Sequence, residues 1–353
     1  MFPRVVVDKK KLYENAKNIV DLAKPYGINV YVVTKVHSGD AILAKVCLEA
    51  GAYGLADSRI QNLEKLKDLN CEKVLLRLPM HSEVDQVVQY ADISFNSELT
   101  TIALLDEAAS KVGKKHRIVV MFDLGDLREG FLPEDVDQVI PEILKFKNIV
   151  IEGIGVNLTC YGGVIPTTDN LGELTKLADH IQKTYDIHLN LVSGGNSSSI
   201  YLLENGQMPE KINNLRIGEG VVLGREAAYG EMIKGAHDDA FILEAQLIEY
   251  KTKNSIPKGL IGMDAFGGKP VFEDKGMLKR GIVAIGRQDV DHLTLFPVDT
   301  RIEILGASSD HMILDFTKAQ DDYKVGDIVR FKMEYGAMLK LFTSEYVDRY
   351  YMD

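Results

Sequence analysis

The chain has 353 residues, 46% hydrophobic and 26% charged, with a formal net charge of -11. This composition excludes a disordered or fibrous chain, and an acidic balance without a basic block argues against a nucleic-acid partner. Cys47, Cys71 and Cys160 have neither metal-ligand spacing nor the even number of a disulfide framework, and no apolar run is long enough for a membrane span. The opening residues carry no leader-like pattern, so the expected setting is the cytoplasm, with no membrane partner.

A short strand over 5–7 precedes a helix over 9–23, whose Leu12, Ala16, Ile19 and Leu22 form one apolar stripe. An alternation then sets in. Strands are predicted over 29–35, 53–57, 73–78, 92–96, 116–124, 150–158, 188–192 and 214–217. Helices are predicted over 41–50, 59–66, 83–90, 98–111, 134–145, 170–184 and 197–203, so every strand but the last is followed by one. Many of these strands are continuous apolar runs, as strands covered on both faces are. Eight such units point to an α/β fold, a closed (β/α)8 TIM barrel rather than an open sheet.

After about residue 240 the pattern changes to short alternating strands punctuated by Gly and Asp, at 241–250, 280–285, 301–304, 311–314 and 328–333. The expected organisation is a barrel over 1–235 and a C-terminal antiparallel β-domain over 236–353. The strand at 5–7 is also able to pair with the second domain.

In such a barrel the chemistry sits at the C-terminal ends of the strands. The first strand ends in Val32-Val-Thr-Lys35, and burial disfavours a charged amine, which suits a lysine acting as a neutral nucleophile. The fifth leads into Phe122-Asp-Leu-Gly-Asp-Leu-Arg128-Glu-Gly130, and the sixth into Gly155-Val-Asn157-Leu-Thr-Cys-Tyr161. The seventh leads into Ser193-Gly-Gly-Asn196-Ser197-Ser-Ser199, where glycines admit close backbone approach and hydroxyls open a helix. Ser197 or Ser198 is equally suited to capping that helix. The eighth ends in Arg216-Ile-Gly218-Glu219-Gly220. A lysine and a phosphate cradle in one barrel mouth suggest a phosphate-anchored aldehyde cofactor, pyridoxal 5'-phosphate.

Together these motifs resemble the alanine racemase family of pyridoxal-phosphate enzymes, and most closely its ornithine racemase-like branch. The resemblance covers nearly the whole chain. It implies Lys35 as the lysine joined to the cofactor and Arg128 as the ligand of the substrate carboxylate. Asn157, Asn196, Ser197, Gly218 and Glu219 fall at the cofactor, Arg216 faces the pyridine nitrogen, and Tyr335 in Phe331-Lys-Met-Glu-Tyr335 lies near the phosphate. It also implies a homodimer with shared active sites, an amino acid as substrate and no metal.

Three positions depart from the family's pattern. Ile261-Gly-Met-Asp-Ala-Phe-Gly267 lacks the tyrosine that the alanine-specific members supply from the other subunit. Met121 stands where a lysine helps to hold the substrate arginine, and Asn157 where a histidine packs on the cofactor ring. The substrate is therefore expected not to be alanine, and the resemblance implies ornithine or a similar basic amino acid. In related decarboxylases a segment near Gly286-Arg-Gln-Asp289-Val-Asp291-His292 reaches into the partner's site. Asp289 or Asp291 is accordingly expected to bind the distal ammonium, with one of them, Asp289 by preference, relaying the proton. Asp264 and His292 are rival donors.

The plain alternative for Arg128 is an ion pair with Asp123 or Asp126, and for Arg216 a surface carboxylate. Competing functions are a racemase of other specificity, a basic amino-acid decarboxylase on the same fold, a non-catalytic pyridoxal-phosphate-binding protein and a metal-dependent aldolase. By the same resemblance, an arginine opposite the ring nitrogen favours the racemase, because decarboxylases of this fold generally place a glutamate there; Glu219 follows close behind.

Overall fold

A computed structural model describes residues 1–353. The chain divides into two compact units, one formed by 10–238 and the other by 1–9 together with 239–353. The first nine residues thus belong with the C-terminal unit, because β1 (Arg4–Asp8) pairs antiparallel with the start of β10 (Phe241–Asn254) and parallel with β16 (Asp348–Met352).

The larger unit begins with α1 (Lys9–Ala23), whose stripe of Leu12, Ala16 and Ile19 is fully buried. The closed parallel barrel follows: β2 (Asn29–Val33), β3 (Gly54–Asp57), β4 (Glu72–Leu75), β5 (Ile93–Asn96), β6 (His116–Met121), β7 (Ile149–Gly155), β8 (Leu191–Ser193) and β9 (Asn214–Ile217). Its helices are α2 (Ala41–Glu49), α3 (Ile60–Lys65), α4 (Val84–Tyr90), α5 (Leu99–Lys111), α6 (Val136–Ile143), α7 (Thr168–Tyr185), α8 (Ile200–Glu204) and α9 (Glu219–Leu223). The last strand, expected to stand alone, is followed by the short α9.

Alternate residues along each strand fill the barrel. Tyr31, Val33, Ala56, Val74, Ile93, Phe95, Val119, Met121 and Leu191 form one buried cluster. At its N-terminal floor, Tyr31 donates to Glu72, and Arg117 lies 2.7 Å from Glu72 and 3.5 Å from Glu152. Burial and then the Glu72 carboxylate push the Tyr31 phenol well above its usual range, so it stays a neutral donor.

The smaller unit is an antiparallel sheet in the order β12-β15-β10-β11-β14-β13, built from β10, β11 (Met277–Val283), β12 (Leu295–Pro297), β13 (Glu303–Ala307), β14 (Met312–Asp315) and β15 (Ile328–Met333). A single helix, α10 (Tyr335–Leu341), follows β15. The long strand β10 holds the unit together, pairing with β1 and β15 early and with β11 later, across a register shift between Leu247 and Glu249. Glu244 on β10 is buried and bridges Arg4 at 2.8 Å and Arg330 at 2.9 Å.

Candidate active site

The predicted strand through Lys35 stops at Val33, and Lys35 opens a 3-10 turn over Lys35–His37. The reason lies in the neighbouring strand. Thr34 N–H still donates to Ala56 O at 2.8 Å, while Thr34 Oγ1 donates to Asp57 Oδ2 at 2.7 Å, and Ser38 then turns left-handed at φ 55. Asp40 caps α2 by accepting from Ile42 and Leu43 N–H. Asp57 is fully buried. Burial raises its pKa, against Thr34, the Arg59 amide, Asn62 and the nearby Lys35 charge.

Arg216 on β9 pairs in register with Tyr31 and shares its inward direction. Its guanidinium lies 4.9 Å from the Phe95 ring centroid. Nη1 donates to Ser193 Oγ, and Nη2 donates to Val156 O at 2.8 Å and to Asn157 Oδ1 at 3.5 Å. These acceptors are all uncharged, and Nε–H remains available. Burial pulls the guanidinium down to about 10, with Glu129 and Cys160 countering, so it is still cationic at neutral pH. The alternative of a surface carboxylate partner is not what the structure has: Arg216 is 3% exposed and forms no ion pair.

Around Arg216 the loops after β7, β8 and β9 interlock. Asn196 Nδ2 donates to Asn157 Oδ1 at 3.1 Å and Leu158 O at 2.9 Å, while its Oδ1 accepts from Ser198 N–H at 2.8 Å. Ser197 Oγ accepts from Gly220 N–H at 3.1 Å, next to Gly218 and the half-buried Glu219. Gly195 has φ +113, a backbone that side chains rarely adopt. Two buried donors in this cluster have no partner, Asn157 Nδ2 and Ser198 Oγ. Unsatisfied buried donors are rare and mark a place where a polar ligand completes the structure. Ser198 Oγ has no partner, and Ser197 Oγ accepts from the Gly220 amide while keeping its O–H as a donor.

In the Arg128 loop the plain alternative, an ion pair with Asp123 or Asp126, is not what the structure has. Asp123 Oδ1 accepts from the Gly125 and Leu127 amides, and Asp126, 1% exposed, accepts from the Tyr161 and Val164 amides. Neither carboxylate pairs with Arg128. Asp126 instead ties this loop to the one after β7. Gly130, at φ +143, sits where an added Cβ would come within 2.2 Å of Asp123 N. The partner of Arg128 is its neighbour Glu129, through both Nε and Nη2.

Lys35, Arg128, Asn157, Asn196, Ser197, Arg216, Gly218 and Glu219 are therefore all gathered at the C-terminal end of one barrel. Sequence reasoning missed Phe95, for which the alternation along 93–97 gave a signal, and it gave Ser193 and Glu129 no role of their own within the two loops it named.

Tyr335, Asp289 and Asp291 belong to the other unit. Tyr335 is half-buried at the start of α10. Asp289 is 7% exposed and accepts from Ser344 Oγ at 2.7 Å, whereas Asp291 is half-exposed and accepts from Leu293 N–H. His292 is held below its ordinary value by burial and then by Arg287, and its Nδ1 is buried without a partner. The amides of Gly268 and Phe266 hold the Asp264 carboxyl below the usual range. Arg287 stacks 3.6 Å from the Phe266 ring centroid.

Residues 7–226 match the family model described as alanine racemase, N-terminal domain. The chain is 52% identical over 350 residues to the ornithine racemase of Acetoanaerobium sticklandii, covering 99% of each. It is 41% identical over 353 residues to the lysine racemase of Thermotoga maritima, again covering 99% of each. Among solved structures it is similar to alanine racemase from D-cycloserine producing Streptomyces lavendulae, with a TM-score of 0.77 at 16% identity, covering 100% of this chain and 98% of that one. It is also similar to alanine racemase from Bartonella henselae with covalently bound pyridoxal phosphate, with a TM-score of 0.75 at 17% identity and 99% coverage of both. The (β/α)8 barrel and the antiparallel β-unit are the architecture of those structures, and the chain belongs to the alanine racemase family.

Proposed function

We propose that this chain is a pyridoxal-phosphate-dependent racemase that interconverts the L and D forms of ornithine or a similar basic amino acid. The relatives named ornithine racemase and lysine racemase support the substrate class. The observation that carries the mechanism is Arg216, a fully enclosed cation with only uncharged acceptors and Nε–H to offer, in the same barrel mouth as Lys35.

The residues present fit the cofactor. The orphaned Ser198 Oγ and Asn157 Nδ2, with the Gly195 turn, suit an anionic group and a polar ring substituent. Lys35 would hold the cofactor covalently, and Ser197, Asn196, Gly218 and Glu219 would complete its surroundings in the barrel. When bound, pyridoxal phosphate supplies an electron sink that acidifies the substrate Cα–H. Arg216, cationic throughout the neutral range, would face the ring nitrogen and keep it unprotonated, moderating that sink and limiting side reactions such as transamination. Lys35 Nζ takes the Cα proton on one face. Arg128 receives the substrate carboxylate.

Return of the proton on the opposite face and capture of the distal ammonium fall to the Asp289–Asp291 turn of a second copy. Asp291 presents the accessible carboxylate, and Asp289, through Ser344, fixes the turn or relays the proton. This makes the working unit a homodimer with shared sites.

The test is to reduce the holoenzyme with borohydride, map the labelled peptide, and incubate the native enzyme with a panel of L-amino acids. Label on Lys35 and D-ornithine or D-lysine as product are expected. Carbon dioxide release with no D-isomer would replace the racemase by the decarboxylase. Sedimentation of an active monomer would remove the shared site.

A further inference from the structure

We propose that Glu129 is a positioning residue that grips one edge of the Arg128 guanidinium and turns the other edge to the substrate carboxylate. The proposal rests on the reading of Arg128 as the carboxylate ligand. Adjacent side chains normally point to opposite sides of an extended backbone and do not meet. Here the loop bends back, with Leu127 at φ 57 and Gly130 at φ +143, and the two side chains lie together. Both Glu129 oxygens are engaged, Oε2 by Arg128 Nε and Oε1 by Nη2.

The Glu129 side chain is 16% exposed and that of Arg128 42%. A carboxylate withdrawn that far from water needs a cationic partner, while the arginine keeps a face toward solvent. A guanidinium has five N–H groups in a planar fork. Glu129 occupies the Nε/Nη2 edge; the guanidinium also hydrogen-bonds the Cys160 thiol, and its Nη1/Nη2 edge has the shape to take a second carboxylate in the plane.

Glu129 also acts on the second cation of the mouth. It is the leading charge that counters the effect of burial on Arg216, whereas Arg128 disfavours the Arg216 cation. Without Glu129 the two guanidiniums would repel each other, and Arg128, on an exposed loop, would be the one to swing out. No other acidic group in the loop is available, because Asp123 and Asp126 bind backbone amides. Met121 beneath the loop is apolar and 1% exposed, so it offers Arg128 no hydrogen bond.

The experiment uses the holoenzyme and two ligands. Delta-aminovalerate keeps the carboxylate and the distal amine; putrescine keeps the distal amine and has no carboxylate. Glu129→Ala should weaken delta-aminovalerate about tenfold or more and raise KM for the amino acid by a similar factor, with kcat changed roughly threefold at most. Putrescine affinity should stay as it is. Glu129→Gln, which keeps the shape and loses the charge, should show the same selective loss, and Glu129→Asp should restore part of it. Unchanged delta-aminovalerate binding in Glu129→Ala and Glu129→Gln, or equal weakening of both ligands, overturns the proposal. Arg128→Ala separates the two levels. If it too binds delta-aminovalerate normally, the placement of the substrate carboxylate on Arg128 is what fails; if it alone loses binding, only the role of Glu129 fails.

Discussion

At the floor of the barrel Arg117 lies between two carboxylates, Glu72 and Glu152, and Tyr31 adds a further bond to Glu72. At the mouth the more deeply buried Arg216 meets a hydroxyl, a backbone carbonyl and an amide, and stacks on Phe95. Both ends carry a guanidinium inside the same cylinder, but only the floor neutralises it. An ion pair at the floor closes that end of the barrel. A cation at the mouth with no carboxylate in contact destabilises the fold, since burial disfavours its charge and Glu129 counters that only in part, and it keeps a field available for a ligand.

The two ends should therefore respond oppositely to substitution. Lys35→Ala has the largest expected effect: racemisation falls by at least about a thousandfold and borohydride labelling disappears, while the urea unfolding midpoint is nearly unchanged. Arg216→Met comes next. We expect kcat to fall about a hundredfold while the unfolding free energy stays level or rises by about 1 kcal/mol. A clear loss of stability in that variant would mean that the mouth cation is structural.

The floor supplies the third and fourth tests. His116 at the start of β6 is buried, bonded to Ser94 Oγ at 2.8 Å, and burial with the adjacent Arg117 lowers its pKa to about 4. Its folded value lies below its unfolded value of 6.5. The unfolded chain thus binds the proton more readily, and stability is complete above the unfolded value and lost as pH falls toward 4. Urea titrations between neutrality and pH 4.5 should show a loss of about 2–3 kcal/mol from this group, absent in His116→Asn. Arg117→Met should be the mildest, costing about 1–2 kcal/mol by leaving Glu72 and Glu152 facing each other, with kcat/KM of the folded enzyme retained.

The barrel is largely legible in the sequence because eight apolar strands with helices between them leave few other arrangements. Lys35, Arg216 and the Ser193–Ser199 turn are legible for a related reason: a polar residue at the end of an apolar strand has only the mouth to occupy. The loop chemistry is not. Asp123 and Asp126 stand in the sequence as the alternative partners for Arg128, yet they bind amides, because the left-handed Leu127 and the tight approach at Gly130 bring backbone donors to them first. Likewise Ser197 and Ser198 are indistinguishable as letters. Only the position of the Gly220 amide decides which hydroxyl accepts from it.

Strand β1 has a consequence for how the molecule is made. It precedes the barrel in the chain, and it sits between β10 and β16, with Arg4 opposite Glu244 on one side and Asp348 on the other. It has no sheet to join until the whole barrel and then the rest of the chain have followed it off the ribosome. Pairings so distant in sequence are slow to close. Removing eight residues at the N-terminus would open an interior seam of the other unit rather than trim a tail, so a strand that precedes the barrel is among the last to find its place.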